Sequence, residues 1–128
     1  ITLLSYKDFD MLFTGDAGVE AFNQVKSDIP HNIEIFKVGH HGAKNVTDRA
    51  MLEHLTPDIS IISTGRNSFG HPRKGTLDTL RNTRTYRTDI NHSVKIVSNG
   101  EKYDIYTYSR DKHKYVEDFS KSIQEMQP

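Results

Sequence analysis

The spacing of apolar and polar residues divides the chain into short alternating elements. Ile1, Leu3 and Leu4, a break at Lys7-Asp8-Phe9-Asp10 and a second run at Met11-Leu12-Phe13 predict a hairpin leading into Thr14-Gly15-Asp16. From Gly18 to Asp28, Val19, Phe22 and Val25 recur at helical spacing, and Pro30 ends the helix. The β-branched run 33–38 predicts a strand with little exposed face, followed at once by Gly39-His40-His41-Gly42. Thr47 or Asp48 can cap a second helix carrying Met51, Leu52 and Leu55, which stops before Pro57. Ile59-Ser60-Ile61-Ile62-Ser63 reads as a buried parallel strand. A polar loop, 65–75, holds Gly70-His71-Pro72, and Leu77 and Leu80 mark a third helix. Residues 94–98 and 102–108 alternate around Asn99-Gly100, a two-residue hairpin signal. Tyr115, Val116, Phe119, Ile123 and Met126 fall on one side of a predicted terminal helix.

The order strand, helix, strand, helix, strand, helix, hairpin, helix predicts α/β layers with some parallel pairing. At 128 residues the chain is long enough for one domain, 1–128, and too short for two. Lys plus Arg and Asp plus Glu each total 17, so no global charge draws the molecule to a polyanion. Binding of nucleic acid would need local clusters or a metal. The absence of cysteine excludes disulfides, thiolate metal sites and a Cys nucleophile. No apolar run approaches the roughly 20 residues that span a bilayer. The chain opens without Met, and we expect a piece of a longer protein.

In open α/β sheets, ligands gather at the carboxyl ends of the strands. Three turns that carry histidine or aspartate fall at such ends: Asp16, the pair His40 and His41, and His71. Imidazole and carboxylate suit zinc, or manganese where carboxylate and water dominate. Glycines around the histidine pair allow a sharp turn and close approach to a bound group. Each feature also has a plainer reading. Thr14-Gly15-Asp16 can be a turn that caps the next helix, His40-His41 a structural pair, Gly70-His71-Pro72 an ordinary loop and Arg87-Thr88-Asp89 a solvated turn. His31, His54, His92 and His113 lie at chance spacings and receive no role. The combination in one order favours chemistry.

The series Leu12-Phe13-Thr14-Gly15-Asp16, Phe36-Lys37-Val38-Gly39-His40-His41-Gly42, Asn67-Ser68-Phe69-Gly70-His71-Pro72 and Tyr86-Arg87-Thr88-Asp89 resembles the metallo-β-lactamase-like domain of ComEC-type competence proteins. The likeness runs from about Leu3 to about Tyr108. It implies the carboxyl-terminal half of an αβ/βα sandwich, a mixed sheet flanked by helices, from a bacterial hydrolase with two divalent cations, zinc or manganese. Under it, Asp16 is the bridging carboxylate and His41 a metal ligand. His40 and His71 are catalytic groups facing substrate, and Arg87 is a weaker candidate for phosphate contact beside a structural pairing with Asp89. The implied substrate is a phosphodiester, DNA during uptake, and the implied parent is tethered to a membrane channel at the cytoplasmic membrane, although free-standing relatives are soluble.

The family's His-x-His-x-Asp-His motif occurs nowhere in this sequence. We therefore expect a truncated domain whose amino-terminal metal-binding half is missing, with an incomplete cation site and little activity of its own. An uncovered apolar face should then drive homo-oligomer formation. The same fold also hydrolyses lactones, thioesters and phosphocholine esters, and a catalytically dead binding or structural domain is a rival of another class.

Overall fold

The computed structural model describes residues 1–123 and is built in three layers: helices, a five-stranded sheet and a three-stranded sheet. Strands β1 (Thr2–Tyr6) and β2 (Phe9–Phe13) form the expected hairpin. Helix α1 (Val19–Val25) follows and continues into a 3₁₀ turn at Lys26–Asp28. Then come β3 (Ile35–Lys37), a 3₁₀ turn at Gly39–Gly42, α2 (Arg49–Leu55), β4 (Ile59–Ile62), α3 (Lys74–Thr79) and β5 (Arg84–Arg87). The first sheet runs β1-β2-β3-β4-β5; β2 to β5 are parallel and β1 is antiparallel at the edge. This is the mixed α/β sheet that the alternation predicts.

Because the strands follow one another in order, the crossover helices share one face. Leu12, Phe36 and Ile62 pack there against Phe22 of α1, Met51 and Leu55 of α2, and Leu80 just beyond α3. A seven-residue helix does not persist alone, and Phe22 is the only buried residue of α1. Its removal would release the helix at about 3–5 kcal/mol. Helix α2 is better defined at its start, where the Asp48 carboxylate accepts the Met51 N–H at 2.9 Å; such a cap contributes about 1 kcal/mol.

The opposite face, with Met11, Ile35, Ile59, Ile61 and Tyr86, is covered by Tyr103 and Ile105 of the second sheet. That sheet is β6 (Val94–Ser98), β7 (Lys102–Ser109) and β8 (Lys114–Ser122), antiparallel throughout and preceded by the short helix α4 (Thr88–Asn91). Polar ties fix the layers: the Tyr103 hydroxyl and Lys121 ammonium both reach Asp58, at 3.1 and 2.7 Å. The Asp8 N–H also donates to Gly100 carbonyl at 2.8 Å, joining the two hairpin turns.

Three expectations are corrected. Residues 114–122 form β8, not a helix. The β7–β8 register skips Asp118, a β-bulge that moves Val116 and Phe119, both pointing inward, to three residues apart. That spacing imitates a helix; Met126 lies outside the described residues. Strand β5 was not anticipated because Arg84-Thr85-Tyr86-Arg87 buries only Tyr86, as suits a charged edge. The β6–β7 turn centres on Gly100-Glu101, one residue later than expected, with Gly100 at φ 88°.

Strand β1 is exposed along its whole length. Leu4 and Tyr6, which pair with Met11 and Phe9 on the inter-sheet side, are each half exposed. No helix among the described residues is long and apolar enough to cross a membrane.

Candidate functional site

The parallel strands deliver their carboxyl ends to one rim, and the chemistry-bearing turns meet there. The His40 N–H donates to Gly15 carbonyl at 2.8 Å, so the turn after β3 is pinned to the turn after β2. Gly39 permits this contact, since a Cβ there would lie 2.9 Å from Thr14 Oγ1 and 3.1 Å from Gly15 carbonyl. Asp16 is exposed beside this junction. It does not cap α1, whose N-cap is Gly18 without a side-chain bond.

His40 and His41 both adopt positive φ, 48° and 58°. Backbone of this kind is uncommon outside glycine and collects at functional sites. The conformation turns both rings toward the loop after β4. His40 lies 5.7 Å from His71 between ring centroids, His41 lies 6.4 Å from His71, and His40 lies 6.2 Å from His41. The His41 Nδ1–H donates to Ser63 carbonyl at 2.6 Å, which leaves Nε2 as the free lone pair. An imidazole fixed in this way by a carbonyl is the usual arrangement of a metal ligand.

The third imidazole is positioned by Asn67. Its side-chain oxygen accepts the N–H groups of Phe69 and His71, both at 3.0 Å, while Nδ2 donates to His71 carbonyl at 2.8 Å. The Arg73 N–H donates to Gly42 carbonyl at 3.0 Å, locking this loop onto the histidine pair. Burial, then repulsion from His40, Arg73 and His41, holds His71 below the usual histidine range.

Arg87 ends β5 on the same rim but turns to Asp89 in a two-bond pair, Nε to Oδ1 at 3.1 Å and a terminal nitrogen to Oδ2 at 2.8 Å. This matches the structural pairing weighed against phosphate contact. The hydrogen bond from Arg87 holds Asp89 below the usual carboxylate range.

Two residues of the rim escaped the sequence reading. Lys37 is half-buried beside Phe13 and Ile61 on the inter-sheet face, and burial lowers its ammonium from the ordinary value. The signal was a single charge inside an apolar strand. Phe69 is 70% exposed and stacks on His71 at 5.8 Å; an aromatic in a polar, glycine-rich loop was its signal.

Two curated proteins are similar to part of the chain. ComE operon protein 3 of Bacillus subtilis is 34% identical over 88 residues, covering 66% of this chain and 11% of that protein. Recombination protein 2 of Haemophilus influenzae is 39% identical over 72 residues, covering 55% of this chain and 9% of that protein. The chain thus spans about a tenth of the length of these relatives. No family model matches it, and no solved structure matches it significantly.

The rim's donors suit a borderline cation. Among the described residues, however, no three His, Asp or Glu side chains come together around one ion position.

Proposed function

We propose that the chain is part of a metal-dependent phosphodiester hydrolase linked to DNA uptake, the reading supported above all by the meeting of His40, His41 and His71 on one rim. The two relatives, one named for the ComE operon and one a recombination protein, support the DNA link. The resemblance of the rim motifs to metallo-β-lactamase-like domains supports the hydrolase. In this reading Asp16 and His41 belong to a site for zinc or manganese, two ions in the parent, whose remaining ligands come from polypeptide outside this sequence. When bound, the cations supply Lewis acidity and an activated water.

The chain's own residues bind and orient. His40 and His71 hydrogen-bond non-bridging phosphate oxygens or the leaving oxygen, and His71, held below the usual histidine range, can accept a proton there. Asn67 and Ser63 keep the rings in place. Arg87 is a weaker contact because Asp89 occupies its donors. We further propose that the isolated chain hydrolyses little and self-associates through uncovered β1. Its other partners are the missing amino-terminal half and, in the parent, a membrane channel domain at the cytoplasmic membrane.

A second reading is a catalytically silent binding domain, in keeping with the lack, among the described residues, of three His, Asp or Glu side chains around one ion position. Assays on the longest natural chain containing this sequence separate the choices. With zinc or manganese it should cleave bis(p-nitrophenyl) phosphate in preference to a lactone, a thioester or a phosphocholine ester. His41→Ala and His71→Ala should each lower that rate at least about a hundredfold. Cleavage only of a lactone, thioester or phosphocholine ester would transfer the assignment, and no cleavage at all would favour the silent domain.

A further inference from the structure

The loop between β4 and α3 has two properties that positioning His71 does not require. It presents Phe69 to solvent, 70% exposed, with its ring stacked on His71 at 5.8 Å and 25° between planes. Exposing an aromatic ring to water is unfavourable, and here the backbone is pinned by Asn67, so the ring is held out rather than left free to fold back. The loop is also a local cluster of positive charge in a neutral chain. Arg66, Arg73 and Lys74 fall between Asp58 and Asp78 with no acidic residue among them, and all three are exposed.

The charge continues away from the rim. The Arg73 guanidinium lies under Gly70, where an added Cβ would meet it at 3.3 Å. Arg73 and Lys74 then line an open groove of about 580 Å³ with Lys44 and Arg49, with Asp48 as its acidic residue. A flat aromatic beside a cationic groove is the combination that binds single-stranded nucleic acid, by stacking bases and tracking phosphates. A duplex hides its base faces and cannot use such a ring.

We propose that Phe69 is the base-stacking residue of a single-strand track that starts at the histidine rim and follows Arg73, Lys74 and Lys44. The inference rests on the phosphodiester reading of the rim: a phosphate held at His40 and His71 sets the neighbouring unpaired base against Phe69. The ring selects for an unpaired base of any identity, since every base has a π-face.

The test uses the full chain and three fluorescent probes: an oligothymidylate with one 2-aminopurine, the same strand with abasic positions, and a duplex. The base-bearing strand should bind about tenfold more tightly than the abasic one, with the 2-aminopurine emission quenched by stacking. Phe69→Ala should erase that difference and the quenching, while Phe69→Trp should keep both. Phe69 is exposed, so these variants should fold as the parent does by circular dichroism. Equal binding of base-bearing and abasic strands, unchanged discrimination in Phe69→Ala, or preference for the duplex overturns the track. If abasic-strand binding is then still lost in His40→Ala and His71→Ala, the histidine reading survives without the stacking. If none of the three probes binds, both readings fall.

Discussion

The His41 ring donates its Nδ1–H to the main-chain carbonyl of Ser63 at 2.6 Å, across the gap between the turns after β3 and β4. One hydrogen bond therefore fixes both the ring's orientation and its tautomer. It also explains why two adjacent residues tolerate left-handed backbone, which costs on the order of 1 kcal/mol or more at each. The strain is held by the Gly15, Ser63 and Arg73 contacts around the pair.

Gly42 is the point at which that assembly is most easily broken. It sits at φ 78°, and a Cβ there would lie 2.7 Å from Pro72 Cβ and 3.1 Å from Pro72 Cα, neither of which can swing away. Gly42→Ala should destabilise the fold by about 2–4 kcal/mol in urea titrations. It should also separate His71 from the pair, so that perturbing one ring no longer shifts the NMR signals of the other. Wild-type stability in this variant would contradict the packing described.

Far from the rim, Glu34 is buried at the amino end of β3, where it accepts the Asp10 N–H at 2.7 Å. Burial pushes its carboxyl up to about 7; the Asp10 hydrogen bond opposes that rise, repulsion from Asp10 and Asp58 adds to it, and Lys121 opposes it. The folded protein thus holds a proton that the unfolded chain gives up near 4.5. This contribution to stability is complete below pH 4.5 and is lost as pH rises through about 7. Glu34→Gln keeps an acceptor for the Asp10 N–H and should be more stable than the parent at pH 8, by on the order of 2 kcal/mol. It should gain nothing at pH 4. Equal pH dependence of parent and variant in denaturant titrations would rule this out.

Strand β1 exposes Leu3, Leu4 and Tyr6, with Ile1 just before it, on an open sheet edge, and free apolar edges invite pairing with another chain. Sedimentation equilibrium should find the chain self-associated in the micromolar range. Leu4→Lys with Tyr6→Lys should return it to monomer without loss of secondary structure, because both side chains already meet solvent. A monomeric parent would show that β1 needs no cover.

The rim was legible in the sequence because element order alone sends Asp16, His40, His41 and His71 to the same ends of parallel strands. What spacing could not show was orientation. The Asp89 partner of Arg87 is two residues away, visible in sequence, but only the fold turns the guanidinium onto it. The terminal segment was misread because the bulge at Asp118 breaks the two-residue alternation that identifies a strand. Asp118 in turn receives the Tyr86 hydroxyl and faces Arg84 at 3.6 Å, contacts with a strand too polar to be noticed. Phe69 was passed over because an aromatic in a loop is ordinary until its exposure is known.

The central claim is that three imidazoles of this chain form one site, with His40 and His71 on the phosphate and His41 beside them on the cation. The direct measurement is a titration with dithymidine monophosphate followed through the imidazole proton and nitrogen resonances of all seven histidines. Signals of His40, His41 and His71 should move together along one binding curve, with His41 in the Nδ1–H form before ligand is added. His31, His54, His92 and His113 should stay still. Shifts scattered over the unassigned histidines, or none at the rim, would contradict the account.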